Sequence, residues 1–285
     1  MRTKKHIGKA VRGASLLFLL VFCLPAEAST VAFEDQGVLE KSRWQLNSIF
    51  FLFPNTQKVE EGRIAPLEAR DAGFLGQFAQ EFRYGLTERV MLRTTLPLSF
   101  LREEKNSSGG LGDSEAYCKV LFWGEEDSTF QAAFGTQFMA PTAFPGRFGI
   151  NGGFNFTPSL MLKLDAGPGI FNALLGYSRA LEREEEGKRI HPSDCRFVGC
   201  AWNSDLGEKF NLALEALWSD SLGSSTDGML DQGSKSQSLT VGPGLSWAIA
   251  PDQDLMASLQ VPLIRSGDLP LSQPFSLLLQ FSRNL

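Results

Sequence analysis

The residues that could do chemistry in this chain are few and regularly placed. Glu81, Arg83, Arg93, Glu115, Lys119, Lys163 and Glu215 each occupy one parity of a segment whose other parity is largely apolar. Charges of both signs set on one face of an extended segment can line a polar path through a protein, or neutralise one another within it. Nucleophilic or acid–base catalysis has less to work with. His191 is the one histidine beyond the first 28 residues, and it is followed directly by Pro192, Ser193 and Asp194. A Ser-His-Asp triad needs side chains converging from separate parts of a fold, and no Gly-x-Ser-x-Gly elbow occurs. A lipid-modifying enzyme is therefore the weaker reading, and the expectation is a protein that is not an enzyme. Beyond Cys23, the cysteines Cys118, Cys195 and Cys200 have neither the number nor the spacing of a metal site. A Cys195–Cys200 bridge would distort a predicted strand, so free thiols are expected. No cofactor is implied.

The elements that position those charges are strands. Odd and even positions of a strand point to opposite faces. In Phe74 to Tyr84, one parity reads Phe74, Gly76, Phe78, Gln80, Phe82, Tyr84 and the other Leu75, Gln77, Ala79, Glu81, Arg83. The split repeats from Val90 to Phe100, with Arg93 on the polar side, and from Ser114 to Phe122, with Glu115 and Lys119. It returns in Phe130–Phe138, Phe210–Trp218, Leu255–Leu263 and Phe275–Ser282. Less regular candidates lie at 42–54, 157–165, 169–179, 194–203 and 237–248, the fourth being the weakest. Pro243 removes a ladder donor from the fifth, which predicts a bend or bulge there.

Connections alternate in length. Short turns are expected near 85–88, 124–128, 166–168, 204–208 and 249–253. Long connections are expected near 55–73, 102–111, 140–156, 180–193, 219–236 and 265–274. About twelve antiparallel strands with loops sorted by length onto two ends predict an all-β, up-and-down transmembrane barrel, with both termini on the short-turn side. A soluble sandwich would not sort its loops this way, and its solvent-facing parity would carry more charge. The polar parity here favours Gln, Ser, Ala and Gly.

The start of the chain supplies the setting. Arg2, Lys4, Lys5, Lys9 and Arg12 precede an apolar run from Ala14 to Leu24, and Ala26-Glu27-Ala28 has the small-x-small form of a secretory cleavage site. The apolar run is too short for a membrane-spanning helix. The expected division is a cleaved signal peptide at 1–28, a periplasmic N-terminal segment at 29–43 and the barrel at 44–285. With five basic residues and one acid in the signal, the remainder carries 22 basic against 31 acidic residues, a net charge of −9. That balance excludes a nucleic-acid partner, which would need clustered Lys and Arg. After Ala28 no uninterrupted apolar run is long enough for a helical span, so the membrane must be crossed by a closed sheet.

Three stretches resemble a known family. They are Phe82-Arg83-Tyr84-Gly85-Leu86-Thr87-Glu88-Arg89-Val90, Gly110-Leu111-Gly112-Asp113 followed by Lys119, and Val241-Gly242-Pro243-Gly244-Leu245-Ser246-Trp247 followed by Gln260-Val261-Pro262-Leu263. Together they resemble the hairpins of the transporter-like outer-membrane barrels named for the meta-pathway of phenol degradation, which are distantly similar to hydrophobic-substrate channels such as the fatty-acid transporters. The resemblance implies residence in the bacterial outer membrane after export, with outer-membrane lipid and the barrel assembly machinery as partners. Such barrels usually end on an aromatic residue that the machinery recognises, whereas this chain ends on Leu285.

These observations point to a channel for passive uptake of small, apolar or aromatic solutes, the seven charged residues above lining its lumen. The loop containing Phe144, Phe148 and Phe154 is rich in glycine and phenylalanine and is the candidate gate over the mouth. The alternative is a non-conducting structural or adhesive barrel.

Overall fold

A computed structural model describes residues 38–55, 57–60, 63–66, 73–103, 106–125, 128–142, 154–185, 187–230, 234–266, 269–272 and 274–285. Twelve long strands make the wall: β1 Trp44–Asn55, β2 Gly73–Thr87, β3 Val90–Glu103, β4 Ser114–Trp123, β5 Phe130–Ala140, β6 Asn155–Asp165, β7 Ile170–Ala180, β8 Cys195–Asp205, β9 Phe210–Leu222, β10 Lys235–Ala250, β11 Gln253–Ser266 and β12 Ser276–Asn284. Each pairs antiparallel with its sequence neighbours, and β1 pairs with β12, from Gln45↔Asn284 to Leu52↔Leu277, so the sheet closes on itself. This is the closed twelve-strand barrel that the alternation predicts. Among the described residues no helix is long and apolar enough to cross a membrane.

The two parities behave as two solvents would require. Glu81, Arg93, Glu115, Gln131, Gln137, Asn172 and Gln280 are buried inside the barrel. The alternate positions expose large apolar side chains to the outside, among them Phe78, Leu92, Leu98, Phe134, Leu175, Val198, Leu214 and Leu259. This inside-out pattern is stable only where the outer surface meets hydrocarbon rather than water. Aromatic pairs such as Trp44–Tyr84 (ring centroids 4.5 Å apart) and Phe210–Trp247 (6.1 Å) ring the short-turn end, and Phe138–Phe154 (5.3 Å) lies toward the other.

Glycines let the wall curve and its large side chains fold flat. A Cβ at Gly176 on β7 would fall on the ring of Phe197, the fully buried aromatic opposite it on β8. Gly135 on β5 likewise leaves space for the Tyr117 hydroxyl and Ser159.

Several local expectations change in detail. The 102–111 connection is in part a strand, Asn106–Leu111, that pairs with the upper half of β3, while β4 pairs with the lower half. The chain shifts from one to the other at Gly112-Asp113, where the Gly112 amide donates to the Pro97 carbonyl at 2.9 Å. The 85–88 turn is tighter and later than expected, because β2 runs to Thr87 and the chain reverses at Glu88-Arg89. The β10–β11 ladder is disturbed where the proline predicts. It skips Gly242 and Pro243, between the pairs Val241↔Val261 and Gly244↔Ser258, and its register shifts on either side, at Leu239/Thr240 and Ala248/Ala250. Leu239 pairs with Ile264 and Thr240 with Pro262, which leaves Leu263 as the extra, bulged residue. The 194–203 segment, irregular by sequence, is the full-length strand β8. Two long connections, 180–193 and 219–236, meet in a small sheet made of Arg183–Glu185, Lys188–His191, Ser225–Thr226 and Met229–Leu230.

Leu214→Arg, in the middle of the outer face of β9, is expected to lower stability by about 2–4 kcal/mol, the cost of a cation at the hydrocarbon midplane. Denaturant unfolding in lipid vesicles reads this out; an unchanged midpoint would mean that Leu214 does not face lipid.

Candidate functional site

The interior of the barrel is the site, and the strand register builds it. Arg83 on β2 lies opposite Arg93 on β3, which lies opposite Tyr117 on β4 and then Gln137 on β5. One step along, Asn47 on β1, Glu81, Thr95 and Glu115 form the adjacent tier. Two adjacent cations would repel, and Glu81 holds them. Its Oε1 accepts from Arg83 Nε at 2.6 Å and from Asn47 Nδ2 at 2.6 Å, while Oε2 lies 3.5 Å from Arg93 Nε. The Arg93 guanidinium also lies over the Tyr117 ring, 4.3 Å from its centroid, a contact that gains strength when desolvated. The Tyr117 hydroxyl donates to Met161 Sδ at 3.5 Å.

Below this polar tier the lining turns apolar. Met91, Tyr117, Leu121, Ala133, Met161, Leu174, Phe197, Ala201, Ala213 and Leu217 pack as one buried cluster across the interior. A second cluster of Ile49, Phe51, Phe53, Leu75, Ala79 and Leu278 covers the β12–β1–β2 wall.

The chain also closes on the interior from its short-turn end. Val38 and Leu39 pack against the first apolar cluster, and the backbone is tied to β2: the Ser42 amide donates to the Gly85 carbonyl at 2.7 Å and the Gly85 amide to the Arg43 carbonyl at 3.0 Å. A Cβ at Gly85 would fall on the carbonyl oxygens of Leu39 and Glu40, so only glycine lets this segment seat. Arg43, Arg83, Met91 and Leu285 share the lining of a cavity of about 430 Å³ beside it. Sequence reading missed Val38 and Leu39 and treated Gly85 as turn chemistry. A glycine on the interior parity of an otherwise regular strand was the available signal.

Of the sequence-predicted residues, the structure brings Glu81, Arg83, Arg93 and Glu115 together and buries all four facing inward. Lys119, fully buried, is two positions along β4 from Tyr117 and opposite Met91. Lys163 faces inward on β6, two strands on from β4, and Glu215 faces inward on β9 across the barrel, where its Oε1 accepts from Ser258 Oγ at 3.3 Å. Phe154 stacks on Phe138 at the outer face rather than over the mouth. Phe144 and Phe148 lie outside the described residues.

The residues weighed for catalysis diverge. His191 Nδ1 lies 2.9 Å from the carbonyl of Pro192, Ser193 Oγ lies 2.6 Å from Ser221 Oγ, and Asp194 accepts from the Tyr177 hydroxyl and the Ala180 amide. Cys118, Cys195 and Cys200 are free thiols. Cys195 and Cys200 point to opposite faces of β8, which rules out a bridge between them in this strand.

Closed sheet, apolar exterior and charged interior define a transmembrane β-barrel of the outer-membrane type. Residues 63–263 match the family described as "Putative MetA-pathway of phenol degradation", and the chain belongs to that family. The fold is similar to that of an outer-membrane channel from Pseudomonas putida F1, with TM-score 0.75 at 12% identity over 88% of this chain and 98% of that one. It is also similar to the NanC porin, with TM-score 0.56 at 9% identity over 84% of this chain and 100% of that one. No curated protein matches by sequence.

Two outcomes follow from this geometry. Glu81→Gln leaves Arg83 and Arg93 under-compensated and is expected to cost about 3–5 kcal/mol, the scale for removing one partner of a buried ion pair, measured as the unfolding midpoint in lipid. Gly85→Leu is expected to unseat residues 38–43 while leaving the barrel intact. Trypsin cleavage at Lys41 and Arg43 would then become several-fold faster, and unchanged cleavage would refute the role given to Gly85.

Proposed function

We propose that the protein is an outer-membrane channel for passive passage of small, apolar or aromatic solutes. The observation that carries this reading is the pairing of two unlike linings inside one closed barrel. An ion network around Glu81 is set directly against an apolar cluster of Met91, Tyr117, Met161 and Phe197. Burying charges costs several kcal/mol per ion before compensation, and a barrel shaped only for stability would fill its interior with apolar groups. A mixed lining suits solutes with an apolar body and a polar end. The fold shared with a channel and a porin supports the same reading, as does the divergence of His191, Ser193 and Asp194, which argues against an enzyme.

On this reading the chain is exported with its first 28 residues as signal, loses them after Ala28, and is placed in the outer membrane by the barrel assembly machinery. Passage is passive, because no nucleotide-binding motif is present in the sequence. The filled interior favours one competing reading, a non-conducting structural or adhesive barrel whose long-loop sheet meets a partner.

Planar-bilayer recording separates the two. The channel reading expects discrete conductance steps, with ion selectivity shifted in Arg93→Ala and Lys119→Ala. A heat-modifiable, correctly folded protein that is silent, and that stays silent in Gly85→Leu, would favour the structural barrel.

A further inference from the structure

Charge on the outer wall of the barrel is confined to its two ends, and the ends differ. Among the described residues, the outward parity of the strands carries Arg102, Arg179, Arg196, Lys235 and Asp220 at the long-loop end, and Arg283 at the short-turn end. Four cations against one acid is a local reversal in a chain whose net charge is −5. Three of the four stand close together. The register sets Tyr177 on β7, Arg196 on β8, Asp220 on β9 and Gln237 on β10 in one row across the outer face. Two residues further from the loops, the next outward row is Leu175, Val198, Trp218 and Leu239, so the wall turns apolar at once. Arg179 and Lys235 flank the polar row, each two positions nearer the loops.

Arg196 is held in place. Its Nε donates to Asp220 Oδ2 at 2.6 Å, its Nη2 lies 2.6 Å from the same oxygen, and its guanidinium lies 5.9 Å from the Trp218 ring centroid. Asp220 is 6% exposed, whereas the Arg196 side chain is 57% exposed. A cation that merely snorkels out of hydrocarbon needs no fixed partner. Here a buried carboxylate on the lipid-facing parity orients the guanidinium and leaves most of it open to the outside. A second acid, Asp194, accepts from the Tyr177 hydroxyl at 2.5 Å and the Ala180 amide at 3.1 Å. Three cations, Arg179, Arg196 and Lys235, against two engaged acids leave the patch with a net charge of +1.

We propose that Arg179, Arg196 and Lys235 form a site on the outer wall for the phosphorylated head of an outer-leaflet lipid. Charge complementarity selects the occupant, because guanidinium and ammonium groups pair strongly with phosphate. The apolar row of Leu175, Val198 and Trp218 then meets the acyl chains. Asp220 is a positioning residue that acts through Arg196. The site lies outside the barrel, so it goes beyond the channel reading and stands independently of passage through the lumen.

The test is native mass spectrometry of the full-length, folded protein in detergent, titrated with diphosphoryl lipid A. Saturable retention of this lipid is expected, with phosphate-free lipid A bound ~10-fold or more weakly, the effect of losing a charge-assisted hydrogen bond. Arg196→Gln is expected to weaken binding by a similar factor, and Arg102→Gln, on β3 outside the patch, to leave it unchanged. Asp220→Asn separates an oriented site from a diffuse basic rim. It makes the patch more positive, so a diffuse rim binds the lipid more tightly. An oriented site loses its hold on Arg196 and binds several-fold more weakly. The double variant Arg179→Gln, Lys235→Gln is expected to weaken binding as much as Arg196→Gln, and it serves as the readout if the others do not fold. Equal binding of the two lipids, no binding of either, wild-type affinity in the folded arginine and lysine variants of the patch, or unchanged or tighter binding in Asp220→Asn overturns the site.

Discussion

A strand in hydrocarbon can send its backbone N–H and C=O groups nowhere except to another strand, and an unpaired group there costs several kcal/mol. Every other feature of this protein depends on how that demand is met. The seam between β1 and β12, eight residue pairs long, removes the last edges of the sheet. Once the sheet is closed, parity acquires meaning: one face of each strand belongs to lipid and the other to an enclosed interior. The outward row of Phe, Leu and Val is then stabilising, although in water it would drive aggregation.

Closure creates a second constraint, because twelve strands enclose a space that must be filled, lined or plugged. This chain does some of each. Phe197 and Tyr117 fold over Gly176 and Gly135, so large side chains occupy the interior without bursting the wall. Val38 and Leu39 enter from the short-turn end, where Gly85 gives them space. The polar tier around Glu81 is the exception to apolar filling. There a single carboxylate reconciles two arginines that the register brings face to face.

The strands were legible because the alternation carries the physics directly. Phe74–Tyr84 and Val90–Phe100 could be assigned face by face, and Glu81, Arg83, Arg93 and Glu115 could be set on the inner parity. Less was legible where local pattern and long-range pairing part company. The 194–203 segment mixes apolar and polar residues on both parities because its inner face, Phe197 and Ala201, belongs to the apolar cluster. Asn106–Leu111 reads as a loop since Asn, Ser and Gly disfavour strands, yet the exposed upper edge of β3 recruits it. Gly85 reads as a turn residue because a turn and a close backbone approach require the same missing Cβ.

By itself the sequence determined what depends on period and order: twelve strands, antiparallel neighbours, loops sorted to two ends, an apolar outside and a charged inside. These follow from the two-residue repeat of a strand and the lengths of its connections, which are local properties of a chain. Only the tertiary structure decided which charges meet. Glu81 and Asn47 are 34 positions apart and Tyr117 and Met161 are 44 apart. Their contact depends on the stagger accumulated from strand to strand around the barrel, to which alternation within any one strand is blind.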